Sequence, residues 1–179
     1  MVNIFLDENS IVSKLSVITA KKCNVHPVVI DRIGAAATLH DTGKSKIPDK
    51  ILNKPGKLDA QEFEIMKTHT KHGVEMLTDI QGEFGNMVRT VCLYHHEKWD
   101  GSGYWGKFSS ELPMYVQIVS ICDVFVALRS TRIYKKAWPP DEAIGYIRNQ
   151  AGAQFDPALI ATFVDIVRHD KSLPELFSA

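Results

Sequence analysis

The stretch Leu39-His-Asp-Thr-Gly-Lys44 closes an apolar segment, Ile33-Gly-Ala-Ala-Ala-Thr-Leu39, with two polar residues side by side. An ionised carboxylate among apolar neighbours is costly unless it is paired or bound to a metal. His40 offers a nitrogen ligand, Asp41 an oxygen ligand and Lys44 a positive charge, all at one helix end. Gly43 is expected to end that helix. The combination suits a metal-held phosphate. A His-Asp pair alone is common, so the reading depends on ligands elsewhere in the chain.

Such ligands recur. On five predicted helices the apolar stripe runs into a side chain that binds metals: Glu8, the pair His40 and Asp41, His69, the pair His95 and His96, and Asp123. Side chains at i, i+3 and i+4 share a helix face, so all of them would point into one core. Asp123 sits inside Val119-Ser-Ile-Cys-Asp-Val-Phe-Val126, where an unpaired carboxylate is especially unfavourable. A single buried histidine is usually satisfied by an ordinary hydrogen bond; five stripes ending the same way are not explained so simply. The donors are imidazole and carboxylate without thiolate, which favours Fe, Mn, Zn or Co over a structural zinc knot. So many ligands imply two or three ions. Ions roughly 3.5–4 Å apart hold a bridging hydroxide and clamp a phosphoryl group for in-line displacement. The expected chemistry is phosphoester hydrolysis, with Lys44 offsetting charge on the phosphate oxygens.

The elements that must position these groups have a period near 3.6, which predicts an all-α protein. A first helix is expected from about Asn9 to Lys22, with Ile11, Val12, Leu15 and Ile18 as its stripe and Glu8 one turn earlier. A second opens at His26-Pro27 and carries Val29, Ile33, Ala36 and Ala37 toward His40. Ser45–Leu58 reads as a loop with two proline turns. Asp59 and Glu62 form a capping box for a helix with Met66, His69, Gly73, Met76 and Leu77 on one face. The next helix, about Glu83–Glu97, ends in His95 and His96 and is followed by the glycine-rich loop Trp99–Trp105. Later helices are expected over Pro113–Ser130, Asp141–Asn149 and Pro157–Arg168. With no internal repeat or linker, residues 1–179 read as one domain.

Composition fits an ordinary globular chain: 179 residues, 45% hydrophobic and 23% charged. A formal net charge of zero argues against DNA or a membrane surface as a partner. The three cysteines, Cys23, Cys92 and Cys122, are scattered among apolar residues, which fits reduced thiols in a cytoplasmic protein. No apolar run approaches the roughly 18–20 residues a membrane span requires, and Met1–Asp7 is too short and acidic for a signal peptide.

The motifs His40-Asp-Thr-Gly-Lys44, Ile47-Pro-Asp49, Lys54-Pro-Gly-Lys-Leu58, Met66-Lys-Thr-His69, His95-His-Glu97, Trp99-Asp-Gly-Ser-Gly-Tyr104 and Cys122-Asp-Val-Phe125 together resemble the HD-GYP family. This is a branch of the HD-domain metal-dependent phosphohydrolases, and the likeness runs from about Ser10 to Val167. It implies a bundle of roughly seven helices around a central metal site, and hydrolysis of cyclic di-GMP to linear pGpG or GMP. It implies two or three divalent ions, Fe or Mn first, with Zn, Co or Ni as the other candidates. By the same resemblance His40, Asp41, His69, His95, His96 and Asp123 are metal ligands, and Lys44 contacts phosphate beside Asp41. Arg132 and Lys135 grip the dinucleotide. Tyr104 suits packing or substrate binding and is carried as a substrate-binding candidate.

The chain departs from the family pattern in several places. Glu8 stands where the family usually has a histidine, and is kept as a ligand. Trp105 replaces the proline of the G-Y-P signature, in a loop that contacts signalling partners. Val126, Arg129 and Ile133 replace a carboxylate, a threonine and a proline, and are expected to surround the substrate pocket. Trp105, Val126 and Arg129 motivate a second reading, a degenerate domain that keeps metal but binds cyclic di-GMP or a signalling partner without turnover; a third is an HD hydrolase of another nucleotide or phosphomonoester. His72 reads as exposed or behind the ligands, His26 and His169 as surface residues, and Trp99 as a packing anchor.

Overall fold

The structure is a computed structural model, and it describes residues 4–131 and 136–177. Helix α1, Ile4–Lys22, starts earlier than expected and buries Val12, Leu15 and Ala20. Asn24 then adopts φ 55°, in the left-handed region that stops a helix. Helix α2, Pro27–Leu39, opens with a proline in its first turn, and the exposed His26 accepts the Val28 N–H at 3.4 Å. Its face of Ile30, Ile33, Ala36 and Ala37 is buried against α1, where Ser13 Oγ donates to the Gly34 carbonyl at 2.7 Å.

A 3₁₀ turn, Thr42–Lys46, follows α2 directly. The expected loop after it contains a short helix, α3, Asp49–Leu52. The capping box is present: Glu62 N–H donates to Asp59 and Asp59 N–H donates to Glu62, each at 2.9 Å. The single helix expected after it is two, α4 (Ala60–Lys67) and α5 (His69–Met76), separated at Thr68. The Thr68 hydroxyl donates to the Ile65 carbonyl at 2.6 Å, taking an acceptor that a continuous helix would use. Beyond the break Met76, expected to be inward, is 41% exposed.

Helix α6 (Gly82–Tyr94) precedes the glycine-rich loop, and α7 (Met114–Arg129) follows it. Helices α8 (Pro140–Asn149) and α9 (Pro157–His169) come next, then a short α10 (Leu173–Leu176) with no counterpart in the sequence expectations. Among the described residues there are no strands, only an isolated bridge between Ala151 and Phe155. The fold is all-α, as the periodicity predicts.

Helix α7 is apolar around most of its circumference, the pattern of a helix largely enclosed by others. Val116, Ile118, Val119, Ile121, Cys122 and Phe125 are buried, and the helix packs on α1, α2, α6 and α8. Phe125 meets Phe163 of α9 edge-on at 5.3 Å. This core also corrects one expectation. Val126 is 1% exposed within the apolar core, while Arg129 donates to the Trp138 carbonyl and lies 5.1 Å over the Phe177 ring. Both positions are committed to packing, not to a substrate pocket. Ile133, Arg132 and Lys135 lie outside the described residues.

Candidate metal centre

Most of the candidate ligands sit where helices end. His40 and Asp41 follow α2, His69 opens α5, and His95 and His96 follow α6; Asp123 lies within α7 and Glu8 within α1. Backbone packing brings the first two groups together. A Cβ at Gly43 would stand 1.9 Å from the His69 carbonyl oxygen and 2.4 Å from Gly73 N. Gly43 therefore serves close approach of the 3₁₀ turn to α5, not helix termination.

Three of the rings are held by backbone. His40 Nδ1 lies 2.6 Å from the Ala37 carbonyl, His69 Nδ1 2.7 Å from that of Met66, and His95 Nδ1 3.0 and 3.1 Å from those of Val91 and Cys92. A carbonyl only accepts, so each Nδ1 carries the hydrogen and each Nε2 turns inward as a ligand atom. His69 Nε2 is 3.3 Å from Asp41 Oδ1, and His95 Nε2 is 3.7 Å from it. His40 Nε2 is 3.3 Å from Asp41 Oδ2 and 3.5 Å from Asp123 Oδ1.

Two ligand groups result, Asp41-His69-His95-His96 and His40-His95-Asp123, with ligand atoms inside each group no more than 4.8 Å apart. They share His95. The sequence thus places six of its seven candidate ligands in one cluster; Glu8, half-buried on α1, joins neither group. His40 Nε2 and Asp41 Oδ1 are buried yet make no hydrogen bond. Buried polar atoms are nearly always satisfied, so these two orphans, one in each ligand group among nitrogen and oxygen donors, fit bound cations.

The electrostatics agree. Burial pulls the His40 ring down, but the Asp41 and Asp123 carboxylates outweigh it and lift the ring to about 10. Burial raises Asp41, yet the His40 and Lys44 charges hold it well below the usual carboxylate range. Asp123 is also lowered: burial opposes this, and His40 overrides it. Burial and the neighbouring imidazoles keep His95 well below 6.5, and burial first holds His96 at about 4. The cluster therefore joins ionised carboxylates to the neutral His95 and His96 rings and to a charged His40 ring, whose proton a metal would displace.

Around the ligands, Lys44 pairs with Asp41 through its ammonium. The Tyr104 ring lies 4.4 Å from His96 at 34° and 5.6 Å from Phe63, edge-on. The Trp105 indole N–H donates to Thr70 Oγ1 at 3.2 Å beneath the Lys71 ammonium, 3.9 Å from the ring centre. His72 pairs with Glu75 and His169 with Asp165, both on the surface. The Trp99 backbone N–H donates to the Gln154 carbonyl at 3.1 Å. Glu97, which the sequence motifs include without a role, is 2% exposed and bonds the loop backbone. A carboxylate directly after the two histidines was its only signal.

A family model described as HD domain matches residues 2–159. The chain is 45% identical over 129 residues to the cyclic di-GMP phosphodiesterase response regulator RpfG of Xanthomonas campestris pv. campestris, covering 72% of this chain and 34% of that protein. It is 41% identical over 136 residues to 3'3'-cGAMP-specific phosphodiesterase 2 of Vibrio cholerae, covering 75% and 26%. The chain thus spans a quarter to a third of the length of these curated relatives. Among solved structures, Bd1817, described as a HDG"Y"P protein from Bdellovibrio bacteriovorus, aligns with TM-score 0.74 at 21% identity over 92% of this chain and 52% of that one. At that identity the likeness speaks to the fold.

Proposed function

The chain belongs to the HD-domain family, and on that premise we propose that it is a metal-dependent phosphodiesterase of the HD-GYP kind, hydrolysing cyclic di-GMP to linear pGpG or GMP. The observation that carries this reading is the convergence of four imidazoles and two carboxylates, from segments far apart in sequence, into two overlapping ligand groups. The names of the two curated relatives support the substrate class. His40, Asp41, His69, His95, His96 and Asp123 would hold two or three divalent ions, Fe or Mn, with Glu8 as a further ligand. Bound there, the ions supply an activated water and a Lewis acid for the phosphodiester.

The protein's own residues do the rest. Backbone carbonyls hold three rings so that Nε2 faces the site, which removes reorganisation from the reaction. Lys44, beside Asp41 at the edge of the cluster, meets a non-bridging phosphate oxygen and offsets its growing charge. Tyr104 walls the site next to His96. Arg132 and Lys135 are assigned to the dinucleotide by the family resemblance alone, as is a protein partner for the Tyr104–Trp105 loop. One domain over residues 1–179 and a cytoplasmic setting complete the proposal. No helix among the described residues is long and apolar enough to cross a membrane.

A second substrate is favoured by one observation: a relative carries the name of a 3'3'-cGAMP-specific enzyme. The test covers both. Protein loaded with Mn²⁺, or with Fe²⁺ under reducing conditions, is incubated with cyclic di-GMP and with 3'3'-cGAMP, and products are separated by chromatography. Linear dinucleotide or mononucleotide from cyclic di-GMP supports the reading, and preference for the mixed dinucleotide reassigns the substrate. Tight binding without product overturns the enzyme in favour of a binding module.

A further inference from the structure

Glu97 belongs to neither ligand group, yet both of its oxygens are committed. Oε1 accepts the Trp105 N–H and Oε2 the Lys107 N–H, each at 2.7 Å. Bonds from backbone N–H to a carboxylate are about twice as strong as neutral ones. Gly103 closes the same contact: a Cβ there would stand 2.5 Å from Glu97 Cα and 2.8 Å from the His96 carbonyl oxygen. From the other side Thr70 accepts the Trp105 indole N–H. Thr70 follows His69 in the chain and Glu97 follows His96. The residue next to each of two candidate ligands therefore holds the glycine-rich loop, and what the loop presents to the site is Tyr104, against His96 and Phe63.

We infer that Glu97 is a positioning residue: it fastens the loop to the end of α6 so that Tyr104 forms a fixed wall for a bulky substrate. It acts through Tyr104 and not on the reacting phosphate. A cyclic dinucleotide is large enough to lean on that wall; a small diester is not. The kinetic part rests on the hydrolase reading, whereas the structural part does not.

Glu97→Gln keeps the size and replaces one acceptor oxygen with an NH₂ group facing an N–H donor. In Mn²⁺-loaded protein, hydrogen exchange at the Trp105 and Lys107 amides is expected to accelerate at least about tenfold, with metal content unchanged. KM for cyclic di-GMP is expected to rise about tenfold while kcat changes less than about threefold. Turnover of bis(p-nitrophenyl) phosphate, which offers the wall far less surface, is expected to fall less than about threefold. Trp105→Phe, which removes the indole bond to Thr70 and leaves a smaller ring under Lys71, moves KM in the same direction by a smaller factor. Unchanged exchange at both amides, equal loss on both diesters, or loss of metal overturns the inference. If the wild-type protein cleaves neither diester, the hydrolase reading fails, and amide exchange alone decides the role of Glu97.

Discussion

His69 and His95 face each other with their Nε2 atoms 3.5 Å apart, and both rings give their Nδ1 hydrogen to a backbone carbonyl. When both rings are neutral, neither Nε2 has a proton to share and two lone pairs oppose each other. A cation between ligand atoms of this kind removes the opposition.

Metal binding should therefore stabilise the fold. At a free concentration of about a hundred times Kd, Mn²⁺ adds about 2.7 kcal/mol. For a chain of this size each kcal/mol is worth roughly 2–4 °C in Tm, so a rise of about 5–10 °C is expected over chelator-treated protein. Melting curves with and without chelator measure it, and coincident curves would refute the metal centre.

Proton release gives the second prediction. His40 is lifted from 6.5 to about 10 by its carboxylate neighbours, once burial is overcome, so in metal-free protein it is charged at neutral pH. Its contribution to stability is complete below about pH 6.5 and disappears as pH climbs toward 10. His95 and His96 are held low and are already neutral at pH 7. Metal uptake at pH 7 should release about one proton, and affinity should rise about tenfold per pH unit until His40 titrates. Calorimetry in buffers of different ionisation heat counts the proton; zero release would contradict ligation by His40.

Lys44→Met removes a charge at the edge of the cluster without removing a ligand. The expected loss in kcat on cyclic di-GMP is about 10²–10³-fold, with metal content at the wild-type level. Elemental analysis beside steady-state kinetics checks both halves. Loss of metal would show that Lys44 is needed to build the site and not only to run it.

Gly43→Ala places a methyl group 1.9 Å from the His69 carbonyl oxygen, and backbone cannot rotate away as a side chain can. Overpacking of this kind costs about 1–3 kcal/mol or more, or roughly 2–12 °C in Tm. Metal affinity should fall as well, because Asp41 and His69 are pushed apart. A variant with wild-type melting and wild-type metal binding would contradict the packing described.

The cluster was legible because its residues are expensive to bury. His40, His69, His95 and Asp123 each end or interrupt an apolar stripe, and only a shared partner makes that pattern economical in free energy. The capping box at Asp59 and Glu62 was legible for a local reason, a fixed spacing of side chains that bond each other's backbone. Other features depend on contacts distant in sequence. The break at Thr68 is one hydroxyl bond that a periodic pattern does not foretell. Gly43 reads as a helix stop until α5 is seen lying on it. Val126 and Arg129 look like losses from a substrate pocket until Val126 is found in the core and Arg129 beside Trp138 and Phe177. Glu97 shows its partners only when the loop after it folds back.

The six clustered ligands run from residue 40 to residue 123 and, apart from Asp123, sit at the ends of helices or just beyond them. Closing loops of that length costs entropy before any ion is gripped, so the centre exists only once all four helices have been brought together. No fragment that ends before Asp123 holds both ligand groups. An ion seated in the cluster is then a report that α2, α5, α6 and α7 have all reached their final places, and the first helix end to fray is the first to let it go.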